Sequence, residues 1–239
     1  MEARVAASSL LRRDRPTPFL IYSRPRSGST LLVRLLDQVP GVRCDGELLG
    51  SFLLSPLGML HHLPRRAGRD CTAYGVQLLS YQVMEVHNVV RPLAFFDDLV
   101  RSGYCFLHLR RDSYGQTLSL AKAHASRKYF VGAADPEREV RVDPERFLAL
   151  LGWNLRMLDY EREVMSHLPH LEVDYDLDLL DAHRHRETVT RICDFLDIPQ
   201  PKSFVETSMR RTGGAEGAIR LANSEELEAA VLALSLIHI

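Results

Sequence analysis

An α/β fold is what this sequence predicts: three layers, with a mostly parallel central sheet covered by helices on both faces. Three observations point there. Short β-rich apolar runs recur at PFLIYS (18–23), YCFLHL (104–109) and LEVDY (171–175). Helical periodicity separates them, and strands joined through helices pair in parallel because a parallel crossover needs a long connection. Finally, 239 residues with 46% hydrophobic and 26% charged content suffice for one large core, with no repeat or inter-domain linker.

Residues 1–17 are polar, basic and punctuated by proline, and read as a loose lead-in; residues 18–233 read as one domain. PFLIYS supplies the first strand. The next helix starts near Ser27 or Gly28, with Leu31, Leu32, Leu35 and Leu36 spaced as one apolar face. VPGVRCDGELLG breaks it through Pro40, Gly41 and Gly46, and residues 47–72 read as loop. AYGVQLLSY (73–81) reads as a strand entering a helix, and Pro92 suits the first turn of a helix over 92–102. After YCFLHL, the spacing of Ser113 and Gln116 predicts a capping box at the following helix. Asp143 and Pro144 fit the N-cap and first position of a long helix over 143–168. LEVDY leads to RETVTRICDFLDIP, an amphipathic helix ended by Pro199, and NSEELEAAVLA is a last helix capped by Asn223 or Ser224. The final LSLIHI (234–239) resembles the translation of a transposon-end adapter used in preparing sequencing libraries, and is read as a non-native tail.

A formal net charge of −1 gives no overall field to recruit nucleic acid or an anionic membrane, so any anion recognition has to be local. No apolar run approaches the ~18–20 residues that span a bilayer, and the N-terminus lacks the apolar core of a secretory signal. Cys44, Cys71, Cys105 and Cys193 show no C-x-x-C and read as reduced thiols, neither a disulfide frame nor a zinc site; a cytoplasmic location is the expectation.

The chemistry concentrates at strand exits. In SRPRSGSTLL (23–32) a strand passes through Arg24 and Arg26 into a helix start carrying Ser27, Gly28, Ser29 and Thr30. A helix N-terminus offers unpaired N–H groups and about half a positive charge, and glycine lets backbone approach a ligand closely. Taken alone the stretch reads either as an anion cradle or as a capped turn with solvated arginines. FLHLRRDSYGQTLSL repeats the layout, with Arg111 at the exit and Ser119 about two turns into the helix. Arg111 has an ion pair with Asp112 as its alternative, and Ser119 has helix packing. No G-x-x-x-x-G-K-[ST] string is present, nor an evident carboxylate for Mg²⁺.

With these segments in order, the chain resembles the sulfotransferases that use 3′-phosphoadenylyl sulfate (PAPS), and more narrowly their bacterial Stf0-type branch, known for sulfating trehalose. RPRSGSTLL is similar to that family's 5′-phosphosulfate loop, LRRDSYGQTLSLAKA to its 3′-phosphate segment, and LEVDYDLDLLDAHRHRETVTRICDFLDIP to its closing strand–loop–helix, over about residues 18–200. The resemblance implies a P-loop-like sulfotransferase fold. Arg26 and the backbone N–H groups of Ser27, Gly28, Ser29 and Thr30 would hold the phosphosulfate, and Arg111 with Ser119 the 3′-phosphate. Glu47 in CDGELL falls where that branch places its general base. PAPS would be the co-substrate and a small-molecule hydroxyl, of a sugar or glycolipid, the acceptor, with no metal required; a homodimer is the family's precedent. His61, His62 and His87 are rival bases, while His108, alternating with Arg110, reads as structural. Gln77 stands where relatives often carry lysine, and Arg210 or Arg211 could reach the 3′-phosphate. Residues 48–72 and 127–142 would shape the acceptor pocket. The competing readings are a P-loop nucleotide kinase or NTPase, and a nucleotide-binding module without catalysis.

Overall fold

Five strands form the central layer of the computed structural model, which describes residues 15–68, 70–129, 138–204 and 219–237. They are β1 (Thr17–Ser23), β2 (Val42–Glu47), β3 (Ala73–Leu79), β4 (Cys105–Arg110) and β6 (His170–Asp174). Their order is β2-β3-β1-β4-β6, and every pairing is parallel. β1 lies in the middle, paired from Thr17↔Ala73 to Ser23↔Leu79 on one side and from Phe19↔Cys105 to Ser23↔Leu109 on the other. Buried on both faces, it reads as a continuous apolar run without alternation.

Helices α1 (Ser29–Leu36) and α6 (His185–Leu196) cover one face. Leu31, Leu32, Leu35 and Leu36 of α1 meet Val189, Ile192 and Leu196 of α6 over Phe19, Ile21, Leu107, Leu109 and Val173. Burying each such leucine contributes roughly 1.5–3 kcal/mol relative to exposure. Helices α3 (Pro92–Arg101) and α5 (Pro144–Ser166) cover the other, setting Phe95, Phe96, Val164 and Met165 against Leu20, Tyr22, Val76, Leu78 and Phe106. The three layers are those the sequence predicts. α4 (Ser113–Ser126) packs on α5. A smaller core gathers Ala121, Phe147 and Leu227 of α7 (Ser224–Ile237). A further short helix, α2 (Pro56–His62), is started by Ser55.

Several local expectations give way. β2 arises inside the stretch read as helix break and loop. It is an edge strand in which Cys44 alone is buried, so it carries no apolar run to announce it. The capping box at 113–116 does not form: Asp112 caps α4, accepting from the Tyr114 and Gly115 N–H groups, and Gln116 turns elsewhere. Asn223 does precede α7, its carbonyl accepting from Leu227 N–H, while its side chain bonds the Glu226 carboxylate and, through both ends, the Val142 backbone. The bonds to Val142 support a second parallel pair, β5 (Arg138–Val140) with β7 (Ile219–Leu221), too short to be read from sequence. Asp143 does cap α5, accepting from Arg146 N–H. The four cysteines are free thiols, and burial raises Cys193 to about 11, far from thiolate chemistry. Among the described residues no helix is long and apolar enough to cross a membrane.

Candidate functional site

Because the strands are parallel, their carboxyl ends share one edge. From β1 the chain proceeds toward β2 and β3, and from β3 it crosses back to β4 and β6. The connections leaving β1 and β4 therefore diverge, opening a crevice between them, the usual ligand position in open α/β sheets. Arg24 to Gly28 form one wall, and Arg111 with the start of α4 forms the other.

The first wall is curled by two left-handed residues, Arg26 (φ 66°) and Gly28 (φ 95°). Gly28 also lies against the Tyr175 ring: a β-carbon there would overlap Cδ2 of that ring. This position requires glycine for both conformation and space. Gly28 is the N-cap of α1, and no side chain caps that helix, so its first N–H groups and their partial positive charge are left for an anion. The Ser27 hydroxyl is already engaged, donating to Arg24 O at 2.9 Å, which leaves that residue its backbone N–H for any ligand. Gln116 Nε2 reaches across from α4 to Pro25 O at 2.6 Å and to Ser27 Oγ at 2.8 Å. Ser29 is buried and Thr30 half-buried at the helix start.

Two arginines face the crevice. Arg26 Nε donates to Ser119 Oγ at 3.2 Å and its Nη1 to Tyr129 O at 2.6 Å. Arg111 donates from Nη1 to Arg26 O at 2.9 Å and stacks on the Tyr175 ring, 4.3 Å from its centroid. Burial first, then the Arg111 charge, lower the Arg26 pKa from its ordinary value. Two adjacent cations held in partial burial constitute a field that an anion relieves. The predicted residues of the two exits, Arg26, Ser27, Gly28, Ser29, Thr30, Arg111 and Ser119, are thus gathered around one crevice.

Glu47 ends β2, just past a bulge at Asp45/Glu47 that re-aims the strand end. It is exposed at the rim, with Gln77 Nε2 donating to Oε1 at 3.3 Å and Gln82 Nε2 to Oε2 at 3.2 Å. Although the residue is exposed overall, desolvation of its carboxylate by the packed surroundings raises its pKa from the ordinary value, while the Arg26 charge pulls it down. That mutual influence places carboxylate and guanidinium in one electrostatic neighbourhood.

Of the rival histidines, His61 pairs with Asp98 at 2.9 Å. His87 braces the chain after Glu47, its Nε2 meeting Leu49 O at 3.1 Å and its Nδ1 facing Leu53 N–H at 3.5 Å. His108 is buried beside Glu161 at 3.6 Å, in keeping with a structural reading. Arg210 and Arg211 lie outside the described residues.

Sequence reasoning missed Gln116, Tyr175 and Gln82, and also Lys122, buried one turn past Ser119 with its pKa lowered by desolvation. Gln116 was visible as a polar residue on a helix face, but its spacing from Ser113 suggested a cap. Tyr175 gave no local signal, because its partners Gly28 and Arg111 are distant in sequence.

Comparison with known proteins adds little. No protein-family model matches the chain, and no curated protein matches it. Among solved structures, mouse sulfotransferase SULT7A1 complexed with PAP is similar over 79% of this chain and 60% of that chain, at 14% identity and a TM-score of 0.44. The chain thus spans less than two thirds of that neighbour's length, and a likeness this slight assigns neither family nor residue roles.

Proposed function

We propose that this protein is a sulfotransferase that moves a sulfonyl group from PAPS to an acceptor hydroxyl. The observation that carries the reading is the meeting of the two strand exits: Arg26 of the first bonds Ser119 of the second, and Arg111 of the second bonds the backbone of the first. Two segments 85 residues apart, which resemble the family's 5′- and 3′-phosphate segments, line one crevice.

In this reading Arg111 and Ser119 hold the 3′-phosphate, each charge-assisted bond contributing roughly 1.5–3 kcal/mol. The first N–H groups of α1 and the Arg26 guanidinium hold the phosphosulfate. The acceptor oxygen attacks sulfur, the bond from sulfur to the bridging phosphate oxygen breaks, and the electron pair leaves with 3′,5′-ADP. Arg26 and the helix start stabilise that growing charge, a role typically worth ~10²–10³ in rate per donor. Glu47 accepts the acceptor's proton. Its raised pKa makes it a better base than a solvated carboxylate, and the two glutamines fix its orientation. A sugar or glycolipid is the acceptor class we favour, on the resemblance to the Stf0-type branch, and a homodimer in the cytoplasm is the corresponding assembly.

Thermal shift tests the binding half. 3′,5′-ADP without Mg²⁺ should stabilise the protein by about 2.7 kcal/mol at 100 Kd, exceeding ADP or Mg–ATP, and Arg111→Ala should remove most of that shift. A larger response to Mg–ATP would replace this reading with a kinase. Labelled-sulfate transfer tests the chemical half. Glu47→Gln should leave 3′,5′-ADP affinity intact and lower transfer roughly 10²–10⁴-fold. In the unsubstituted enzyme kcat/KM should fall as pH drops through the Glu47 pKa, which desolvation holds above that of a solvated glutamate, because only the ionised form accepts a proton. Full activity in the variant would remove Glu47 from the reaction.

A further inference from the structure

Along β4 and β6 lies a second cluster of chemically capable side chains that the proposed transfer does not use. His108 is in register with Glu172 and Phe106 with His170, so the two-residue period of the strands sets His108, His170 and Glu172 on one face of the sheet, beneath α5. One ligand atom from each lies within 4.8 Å of the other two. Two imidazoles and a carboxylate are a donor set suited to zinc and its neighbours among the divalent transition metals, and poorly suited to Mg²⁺ or Ca²⁺.

Three details prepare these groups for a cation. The His170 Nδ1 lies 2.9 Å from Leu168 O; a carbonyl only accepts, so Nδ1 carries the proton and Nε2 keeps its lone pair. Metal-bound histidines are commonly oriented in this way. His108 is buried, and its Nε2 finds no hydrogen-bond partner among the described residues. It faces Glu161 Oε2 at 3.6 Å, a buried carboxylate whose nearest cation is Arg24 Nε at 3.3 Å. On the outer side Arg110 takes Glu172 Oε1 at 2.6 Å, leaving Oε2 for a second partner. The fixed charges around the three ligands include Arg24, Arg110 and Arg191, whose Nη2 donates to Glu172 O at 3.0 Å, against Glu161 and Asp174.

We propose that His108, His170 and Glu172 bind one divalent transition-metal ion, zinc above all, with the Glu161 carboxylate as its buried counter-charge beside His108. Zinc bonds of about 2.0–2.2 Å require the ligand atoms to draw together by roughly an ångström, within reach of side-chain rotation. The ion ties edge strand β6 to β4 two residues before Arg110 and stiffens the strand that delivers Arg111. This extends the sequence reading, which assigned no metal, and it does not depend on the proposed transfer reaction.

The test is zinc titration of full-length protein stripped with a chelator and dialysed, read by calorimetry and by melting temperature. One Zn²⁺ per chain and a rise in Tm are expected for the unsubstituted protein. His170→Ala, which removes a partly exposed ligand, should lower zinc affinity at least about 100-fold while its metal-free Tm stays near that of the parent. Should that variant fold poorly, Glu172→Gln provides the same comparison. Absence of stoichiometric binding overturns the proposal, and so does zinc uptake that neither substitution weakens, since the ion then sits on other side chains.

Discussion

The two strand exits each carry two arginines, and at each exit the pair divides differently. After β1, Arg24 turns inward and is 1% exposed, its Nε ion-paired to the fully buried Glu161. Its other nitrogens donate to Ser113 Oγ, Asn154 Oδ1 and Arg111 O, all at 2.9–3.0 Å. After β4, the arginine that leaves the crevice goes outward instead. Arg110 pairs with Glu172 at the surface, the two side chains being 39% and 47% exposed. The remaining members, Arg26 and Arg111, face the crevice. One exit is thus locked through the core and the other merely fastened at the rim. The lock is also what joins the two walls, since Arg24 holds the Arg111 carbonyl and Arg111 holds that of Arg26.

Arg24→Ala should break this contrast most severely. It strands Glu161 as a buried charge and frees three acceptors, costing about 3–5 kcal/mol and lowering Tm by roughly 10 °C. Arg26→Ala should leave Tm nearly unchanged while weakening 3′,5′-ADP binding, because it removes one of two adjacent like charges. Equal loss of stability in both variants would erase the distinction between lock and ligand contact. Gly28→Ala should have an intermediate effect, about 1–3 kcal/mol, since the new methyl group meets Tyr175 and the backbone is left-handed. A tolerated alanine would mean that the β1 wall is looser than its packing implies. Arg110→Ala should be the mildest, at most ~1 kcal/mol and weaker still in high salt, as for other exposed pairs. A loss as large as that of Arg24→Ala, measured in the same denaturant melt, would contradict the surface assignment.

How much of this was legible beforehand depended on how local each signal was. The central strands announced themselves because burial on both faces demands mostly apolar runs, as in Phe19–Tyr22 and in Phe106–Leu109, where His108 alone interrupts the run. Asp143 and Pro144 marked a helix start through chemistry confined to one turn. β2 stayed hidden, since an edge strand with one buried residue can be written in Arg, Asp and Gly. Gln116 misled for the opposite reason. Its spacing satisfied a local rule, but a buried partner across the crevice, Ser27 Oγ, offered it more than the exposed end of its own helix did.

By itself the sequence determined the layered α/β architecture, the two arginine-bearing helix starts and the glycine between them, because hydrophobic period and backbone preference act over a few residues. Tertiary structure alone decided which arginine of each pair would be buried, that Tyr175 would close over Gly28, and that Glu47 would be held by Gln77 and Gln82. Each of those outcomes rests on contacts between segments tens of residues apart, and desolvation selects among chemically equal side chains only once the chain has brought their neighbours together.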